Sequence, residues 1–235
     1  MSKLTLKFGG SALNSPENIN RVCQIILKKA LNNDCYVVVS ALKGSTEKLI
    51  GICNSAKTSA QQANTQLLEL IAEHQLLANK ILSASKALAW QQEVAVYIDA
   101  CQKRLVNRKQ TDADIASILS LGEKLSAALI SQAIQQAGKN CNWLCSEGLI
   151  KTTGPYLNSR VNNFATAQCF TDLNKDYPRL KITVITGFSA SNQKGQTTLL
   201  GRNASDYSAA IVAKFTGSES VELFGDTAGI LSADP

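Results

Sequence analysis

Histidine is nearly absent from this sequence, since His74 is the single one among 235 residues. Imidazole-based triads, proton relays and most zinc sites need histidine beside the reacting groups. His74 lies in a mixed polar and apolar helical pattern, and nothing in the sequence places it near the glycine-bearing segments described below. We therefore expect no histidine-based catalysis and no protein-bound metal site, and we predict that His74 is an ordinary surface residue.

Long hydrophobic runs are also lacking, and no apolar stretch approaches the ~20 residues that a membrane-spanning helix needs. The first residues lead directly into a β-rich segment, without the pattern of a signal or transit peptide. The seven cysteines are odd in number, irregularly spaced and set mostly in apolar segments, which favours reduced, buried thiols. These features lead us to expect a cytoplasmic protein with no membrane partner.

Positive charge is in modest excess, because the sequence has 24 Lys and Arg residues and 18 Asp and Glu residues, which give a net charge of +6. The excess reflects either a mildly basic surface or an attraction for anionic substrates. The basic residues are scattered and no stripe alternates basic with aromatic residues, so we expect no nucleic-acid partner. A hydrophobic content of 45% and a charged content of 18% fit a globular domain.

Hydrophobic patterning predicts alternating strands and helices in the first part of the chain. A strand at residues 4–8 is followed by a helix that begins at the N-cap Ser15, carries Pro16 in its first turn and ends near Asn32. A continuous apolar run within residues 35–42 is typical of a buried parallel strand. The three elements together predict a right-handed βαβ unit.

Further along, residues 46–107 are predicted to be largely helical and to form a surface hairpin more than core. Residues 189–196 are predicted to be a polar loop. The remaining predicted elements are helices at residues 112–138 and 205–216 and strands at residues 141–145, 181–188 and 220–224.

Two glycine-bearing turns follow predicted strands and suggest anion binding. In the first, Lys7 is followed by Gly9, Gly10 and Ser11, so that backbone N–H groups could approach phosphate oxygens without a Cβ in the way. The second, residues 200–207, carries Arg202 and opens a helix whose N-terminus adds partial positive charge. The first turn has the spacing of neither a Rossmann nor a Walker A loop.

A carboxylate inside an apolar helical stripe is the third informative feature. Glu123 falls on the same helical face as Leu119, Ala127 and Ile130. Because a buried carboxylate needs a partner, we expect Glu123 to hold a positively charged group.

These segments resemble the amino-acid kinase family and, within it, the aspartate kinases. The resemblance is carried by KFGGS at residues 7–11, SLGEKLS at 120–126, LGRNASDYS at 200–208 and GDTAGILSADP at 225–235. Residues 156–159 and 200–203 look most like the kinase half of bifunctional aspartate kinase–homoserine dehydrogenases. The resemblance implies a three-layer α/β/α sandwich with a mostly parallel sheet. It further implies one catalytic domain over residues 1–235, truncated relative to the family, without ACT or dehydrogenase domains.

The resemblance implies ATP-dependent phosphorylation of L-aspartate to 4-phospho-L-aspartate, the first step of lysine, threonine and methionine biosynthesis. It implies Mg²⁺ carried on the ATP phosphates, and a homo-oligomer for the full-length protein. Lys7 and Asp206 would be catalytic. The substrate-binding residues would be Ser40, Thr46, Glu123, Arg202 and Ser205. The nucleotide-binding residues would be Lys7, Gly9, Gly10, Ser11, Gly225, Asp226 and Leu231.

Several alternatives remain open at the level of sequence. Ser205 fits a helix cap as well as a substrate contact, and Asp206 fits first-turn dipole compensation as well as a catalytic role. Leu231 stands where the family usually has a tyrosine, so we expect weak and poorly selective nucleotide binding. The rival functions are another amino-acid kinase and a non-catalytic or weakly active binding module of the same fold.

Overall fold

The computed structural model describes residues 2–176, 181–201 and 204–225 of the chain, with the side chains of 174–176 excepted. Within those residues the chain forms α-helices, β-strands and two 3₁₀ helices, Gly10–Leu13 and Ser146–Gly148. The α-helices are α1 (Pro16–Lys29), α2 (Ser45–Ala56), α3 (Ala60–Ile81), α4 (Ala84–Leu105), α5 (Asp112–Leu119), α6 (Leu121–Gln136), α7 (Asn163–Asp176) and α8 (Ala204–Thr216). The strands are β1 (Ser2–Phe8), β2 (Asn33–Val39), β3 (Cys141–Leu144), β4 (Lys151–Thr153), β5 (Arg160–Val161), β6 (Ile182–Thr186), β7 (Ser189–Asn192), β8 (Thr197–Leu199) and β9 (Ser220–Phe224).

Five strands form the main sheet in the order β3-β6-β2-β1-β9, and every neighbouring pair is parallel. The register pairs Phe8 of β1 with Val39 of β2 and with Phe224 of β9, and Val39 with Thr186 of β6. The strands β1, β2, β6 and β9 therefore end at the same edge of the sheet. A smaller mixed sheet has the strand order β5-β4-β7-β8, and its strands β7 and β8 directly follow β6 in the sequence.

Alternate residues of the central strand β2 separate two helical layers. Val37 and Val39 join the apolar cluster that contains residues of α1 and α6, whereas Val38 joins the cluster that contains residues of α7 and α8. All three valines are fully buried, as expected for a parallel strand covered on both faces. This arrangement confirms the predicted α/β/α sandwich with a mostly parallel sheet.

The prediction of a surface hairpin at residues 46–107 is wrong. The region forms three helices, α2, α3 and α4, and their side chains Leu49, Leu67 and Trp90 are fully buried in the main core. Trp90 Nε1 donates a hydrogen bond to the carbonyl of Leu125 on α6 at 3.1 Å. The pattern was misleading because the buried stripe of each helix is narrow and its other faces are polar.

The predicted polar loop at residues 189–196 is also wrong in its first half, which is strand β7. Ser189, Ala190 and Ser191 are buried, and Ser146 Oγ donates to the Ser189 carbonyl at 2.7 Å. Small hydroxyl side chains fill this sheet instead of large apolar ones, so hydropathy gave no strand signal.

Of the described helices, none combines the length and apolar character needed to cross a bilayer. The predicted reduced, mostly buried thiols are confirmed: all seven cysteines are free and five of them are buried. Burial raises the pKa of the Cys23, Cys53 and Cys141 thiols to about 12, so these side chains stay protonated and unreactive.

Because no disulfide contributes to the fold, dithiothreitol should leave thermal stability unchanged. We expect the same melting temperature with and without the reductant, measured by circular dichroism at one protein concentration. A melting temperature that falls on reduction would contradict the assignment of free thiols.

Candidate active site

The loops that follow four parallel strands meet at one edge of the main sheet. Backbone hydrogen bonds tie these loops together: Gly9 N–H donates to the Phe224 carbonyl at 3.0 Å and Ser40 N–H donates to the Phe8 carbonyl at 3.1 Å. Gly187 N–H, after β6, donates to the Val39 carbonyl at 2.9 Å. Ligands of open parallel sheets bind at the carboxyl ends of the strands, and the predicted site residues that the structure describes lie on this edge or on the helices that face it.

An ion pair between Lys7 and Asp206 joins β1 to α8. Lys7 Nζ lies 2.6 Å from Asp206 Oδ1, and the side chains are 13% and 54% exposed respectively. A Cβ built on Gly9 would lie 3.5 Å from Lys7 Nζ. The absence of a side chain at Gly9 therefore leaves space beside a sheltered positive charge.

The first glycine turn is held against the loop after β2. A Cβ on Gly10 would lie 2.7 Å from the carbonyl oxygen of Ala41 and 3.1 Å from the Lys43 nitrogen, so a side chain at this position would force the backbones apart. Within the described residues, no hydrogen bond uses the N–H groups of Gly10 or Ser11. Glycine here both permits close packing and leaves two backbone donors available to an anion.

A cavity of about 670 Å³ opens between the main sheet edge, α2, α6 and α8. Four of the predicted substrate-binding residues line it, namely Ser40, Thr46, Glu123 and Ser205. Ser40 Oγ donates a hydrogen bond to Ser205 Oγ at 2.8 Å, which ties the loop after β2 to the first turn of α8. The remaining lining residues are Ala41, Glu47, Ile50, Leu119, Leu157, Phe188, Leu199, Gly201 and Ala204.

The N-terminus of α2 forms one wall of this cavity. Its N-cap is Gly44, which has a φ of 84° and supplies no side-chain cap. Among the described residues, no hydrogen bond uses the N–H groups of Thr46 or Glu47, and both residues line the cavity. Uncapped N–H groups and the partial positive charge of a helix N-terminus favour an anion.

Glu123, in the first turn of α6, places a titratable carboxyl on another wall of the cavity. It is 3% exposed, and its Oε2 has no hydrogen-bond partner among the described residues. Burial raises the pKa of Glu123 to about 8, against hydrogen bonds from the backbone of Glu123 and Ala41 that lower it. The Glu123 carboxyl is therefore mostly protonated at neutral pH and ionises readily when a cation reaches it.

Two close contacts bring the walls of the cavity together. A Cβ on Gly187 would lie 2.8 Å from the Ser205 Cβ, and a Cβ on Gly122 would lie 2.7 Å from the Ala41 Cβ. Next to Gly187, Phe188 has a φ of 66°, a conformation that is costly for a bulky residue. Its N–H donates to Ser208 Oγ at 3.0 Å, which fixes the Phe188 backbone at the rim of the cavity.

The structure therefore groups Ser40, Thr46, Glu123 and Ser205 around one cavity and pairs Lys7 with Asp206 beside it. Gly225 is exposed at the end of β9, next to the Gly9 turn. The predicted contacts Arg202, Asp226 and Leu231 lie outside the described residues. No cluster of three or more potential metal-binding side chains occurs in the described ranges.

Two features were not predicted from the sequence, namely the free N–H groups at the start of α2 and the burial of His74. The free N–H groups at Thr46 and Glu47 follow Gly44, and a glycine before a helix without a capping side chain is the signal that could have indicated them. His74 is 1% exposed, so its prediction as a surface residue is wrong. Burial lowers the pKa of His74, while a hydrogen bond between Nδ1 and the Leu70 carbonyl, at 2.8 Å, opposes that shift.

Comparison with known proteins gives a consistent result. A family model described as the amino acid kinase family matches residues 3–235. The chain is 32% identical over its whole length to an aspartokinase of Chlamydia pneumoniae, of which it covers 50%. It is 30% identical to the bifunctional aspartokinase/homoserine dehydrogenase 2 of Escherichia coli K12, over 97% of this chain and 28% of that protein. The chain thus spans half or less of these curated relatives.

The solved structure of E. coli aspartokinase III in complex with lysine and aspartate matches with a TM-score of 0.85. Its sequence identity is 22%, and the match covers 97% of this chain and 50% of that chain. The same enzyme in complex with aspartate and ADP matches with a TM-score of 0.84 and 22% identity. At this identity the structural matches establish the fold. The family match over residues 3–235 shows that this chain belongs to the amino acid kinase family.

Proposed function

We propose that this chain phosphorylates the side-chain carboxylate of L-aspartate with ATP, giving 4-phospho-L-aspartate and ADP. The observation that carries the proposal is the charge arrangement of the cavity. The buried Glu123 carboxyl, whose Oε2 has no hydrogen-bond partner among the described residues, faces the same space as the free N–H groups of Thr46 and Glu47. An amino acid that carries an ammonium and two carboxylates complements those walls.

The ammonium of the substrate is assigned to Glu123. When the ammonium binds, the ionised form of Glu123 becomes favourable, and the carboxyl releases its proton to solvent below pH 8. The α-carboxylate is assigned to Arg202, as the sequence resemblance implies, with the hydroxyls of Ser40, Thr46 and Ser205 as further donors. Held at its other end, the substrate directs its side-chain carboxylate towards Lys7.

The nucleotide phosphates are assigned to the Gly9 turn. Space beside Gly9 and the free N–H groups of Gly10 and Ser11 suit an oxyanion next to Lys7 Nζ. Gly225, Asp226 and Leu231 are proposed for the nucleoside side. No described cluster of side chains could hold a metal ion on its own, so we assign Mg²⁺ to the ATP phosphates, where it would neutralise phosphate charge.

The reaction then needs positioning and charge neutralisation and no general base. The aspartate side chain, with a pKa of about 4, is already ionised at neutral pH. One carboxylate oxygen forms a bond to the γ-phosphorus while the bond from that phosphorus to the bridging oxygen of ADP breaks. Lys7 stabilises the charge on the transferring group, and Asp206 orients Lys7 through their 2.6 Å ion pair.

Trapping the acyl phosphate with hydroxylamine tests this function. We expect aspartyl hydroxamate and an equal amount of ADP when the chain is incubated with ATP, L-aspartate and hydroxylamine. D-aspartate and L-glutamate should give much less product, since the cavity has to place both ends of the substrate. ADP release that does not depend on an amino acid, without hydroxamate, would overturn the proposal.

The alternative is a binding module of the same fold that does not turn over. It would bind L-aspartate in calorimetry with the same dependence on Glu123, yet form no hydroxamate. The same pair of measurements therefore separates the two functions.

A further inference from the structure

A buried ion pair involves the residue that follows Glu123 in the sequence, and neither of its partners lines the cavity. Lys124, the next residue in the first turn of α6, places its Nζ 2.8 Å from Glu147 Oε1. The two side chains are 8% and 13% exposed. Glu147 belongs to the 3₁₀ helix Ser146–Gly148, which leads into the smaller sheet. The pair therefore connects α6, which carries Glu123, to the 3₁₀ helix that precedes the smaller sheet.

Further contacts fix the position of Lys124. Its Nζ donates to Ser120 Oγ at 2.8 Å, at the junction of α5 and α6, and lies 5.1 Å from the centre of the Tyr97 ring on α4. Cys145 Sγ donates to Tyr97 Oη at 3.5 Å on the same side. Burial is the largest single effect and lowers the pKa of Lys124. The charge of Glu147, its hydrogen bond and the nearby thiols of Cys145 and Cys101 together outweigh burial, so the pKa is raised overall and Lys124 stays charged.

Stability alone is a weak reason for such a pair. Desolvation of two buried charges costs about as much free energy as their attraction returns, and an apolar pair of similar volume often stabilises a fold equally well. The pair does, however, act on Glu123 with two opposed charges: Glu147 raises the pKa of Glu123 and Lys124 lowers it. Each partner thus offsets the effect of the other on the Glu123 carboxyl.

We propose that the Lys124–Glu147 pair is a positioning device that holds Glu123 at the cavity and sets the pH range in which the site accepts an amino-acid ammonium. The proposal rests on the function proposed above, and it adds two residues that do not contact the substrate. The pair fixes the first turn of α6 through Ser120 and Glu147. Its opposed charges offset each other in part at the Glu123 carboxyl, whose pKa is raised mainly by burial.

Single substitutions should move the Glu123 titration in opposite directions. Lys124→Met leaves the Glu147 carboxylate uncompensated, so the midpoint should rise by about one pH unit. Glu147→Gln leaves the Lys124 ammonium uncompensated, so the midpoint should fall by a similar amount. The double variant and Lys124→Arg should both return the midpoint close to that of the wild type.

Several other groups lie around Glu123 and Lys124. Those that can carry charge are Tyr97 and Cys101 of α4, Cys145 and Glu147 at the second 3₁₀ helix, and Glu47 of α2. The uncharged neighbours are Ser120 between α5 and α6, Ala41 of the loop after β2, and Thr46 of α2.

The measurement is a ¹³C NMR titration of the side-chain carboxyls in the substrate-free protein, in which the Glu123 signal is identified by its loss in Glu123→Gln. Calorimetric titration with L-aspartate at several pH values follows on the same variants. Opposite shifts in the two single variants support the inference. Shifts in the same direction, or none, overturn it, since a merely structural pair would lower stability in both variants without opposite titration changes.

The design separates this inference from the proposed function. If the wild-type chain binds no L-aspartate at any pH, the proposed function fails, and the link of the pair to an amino-acid substrate fails with it. The NMR midpoints still report the electrostatic effect in that case. If Lys124→Met does not fold, as judged by circular dichroism, Lys124→Gln replaces it because it keeps a polar head beside Glu147.

Discussion

Lys7→Met should reduce kcat by about 10²- to 10³-fold while leaving the fold intact. Lys7 Nζ is assigned to the charge of the transferring phosphoryl group, and loss of one preorganised charge contact costs about 3 kcal/mol in the activation barrier. Its ion pair with Asp206 is half open to solvent, because Asp206 is 54% exposed, so its loss should change the melting temperature little. The measurement is the initial rate of hydroxamate formation at saturating L-aspartate and ATP.

Lys3→Met provides the matched control for this experiment. Lys3 lies at the other end of the same strand, where its Nζ donates to the Thr216 carbonyl at 3.0 Å. It removes the same charge from β1 without touching the site, so kcat should stay within a factor of two or so of the wild type. A Lys7→Met variant that retains wild-type kcat would remove Lys7 from the phosphoryl site.

Glu123→Gln should weaken L-aspartate binding and, at the same time, stabilise the substrate-free protein at alkaline pH. The variant loses the group proposed to hold the substrate ammonium, so the KM for L-aspartate should rise about 100-fold while the KM for ATP changes little. Calorimetry at pH 8 should give the same loss of affinity. An increase confined to the KM for ATP would mean that Glu123 serves the nucleotide.

The stability effect follows from the raised pKa of Glu123. An acid whose pKa is about 8 when folded and about 4.5 when unfolded contributes stability below pH 4.5, and this contribution is lost as the pH rises through 8. Glutamine cannot ionise, so between pH 5 and 9 the melting temperature of the variant should decline less than that of the wild type. Glu69→Gln, which removes an exposed carboxylate on α3, should follow the wild type at each pH. A wild-type curve that rises over this range would contradict a raised pKa.

The parallel core and most strand and helix positions followed from local sequence signals. The Ser15–Pro16 start of α1 is confirmed, since Ser15 Oγ accepts the Asn18 N–H, and the apolar run of β2 is buried on both faces. Such signals act within a few residues, and a single sequence suffices to detect them. The prediction of a surface hairpin failed for the region that forms α2, α3 and α4. Burial of these helices depends on contacts with α6, which is distant from them in the sequence.

The site shows the same division between local and distant signals. The glycine turn and Glu123 could be selected because a glycine pair and a carboxylate in an apolar stripe are unusual by themselves. The Lys124–Glu147 pair could not, because its partners are 23 residues apart and lie on elements that only the fold brings together. Likewise, nothing local in the sequence indicates that Phe188 adopts a positive φ at the cavity rim.

Transfer of isotope from substrate to phosphate tests the central claim most directly. L-aspartate labelled with ¹⁸O in its side-chain carboxylate is incubated with the chain, ATP and hydroxylamine, and the released inorganic phosphate is analysed by ³¹P NMR. Attack by a carboxylate oxygen on the γ-phosphorus places one ¹⁸O in the acyl phosphate bridge, and attack of hydroxylamine on the carbonyl carbon then releases phosphate with that oxygen. We predict one ¹⁸O per phosphate in the wild type and loss of labelled phosphate in Lys7→Met. Phosphate without ¹⁸O would show that water, and not the aspartate carboxylate, receives the phosphoryl group.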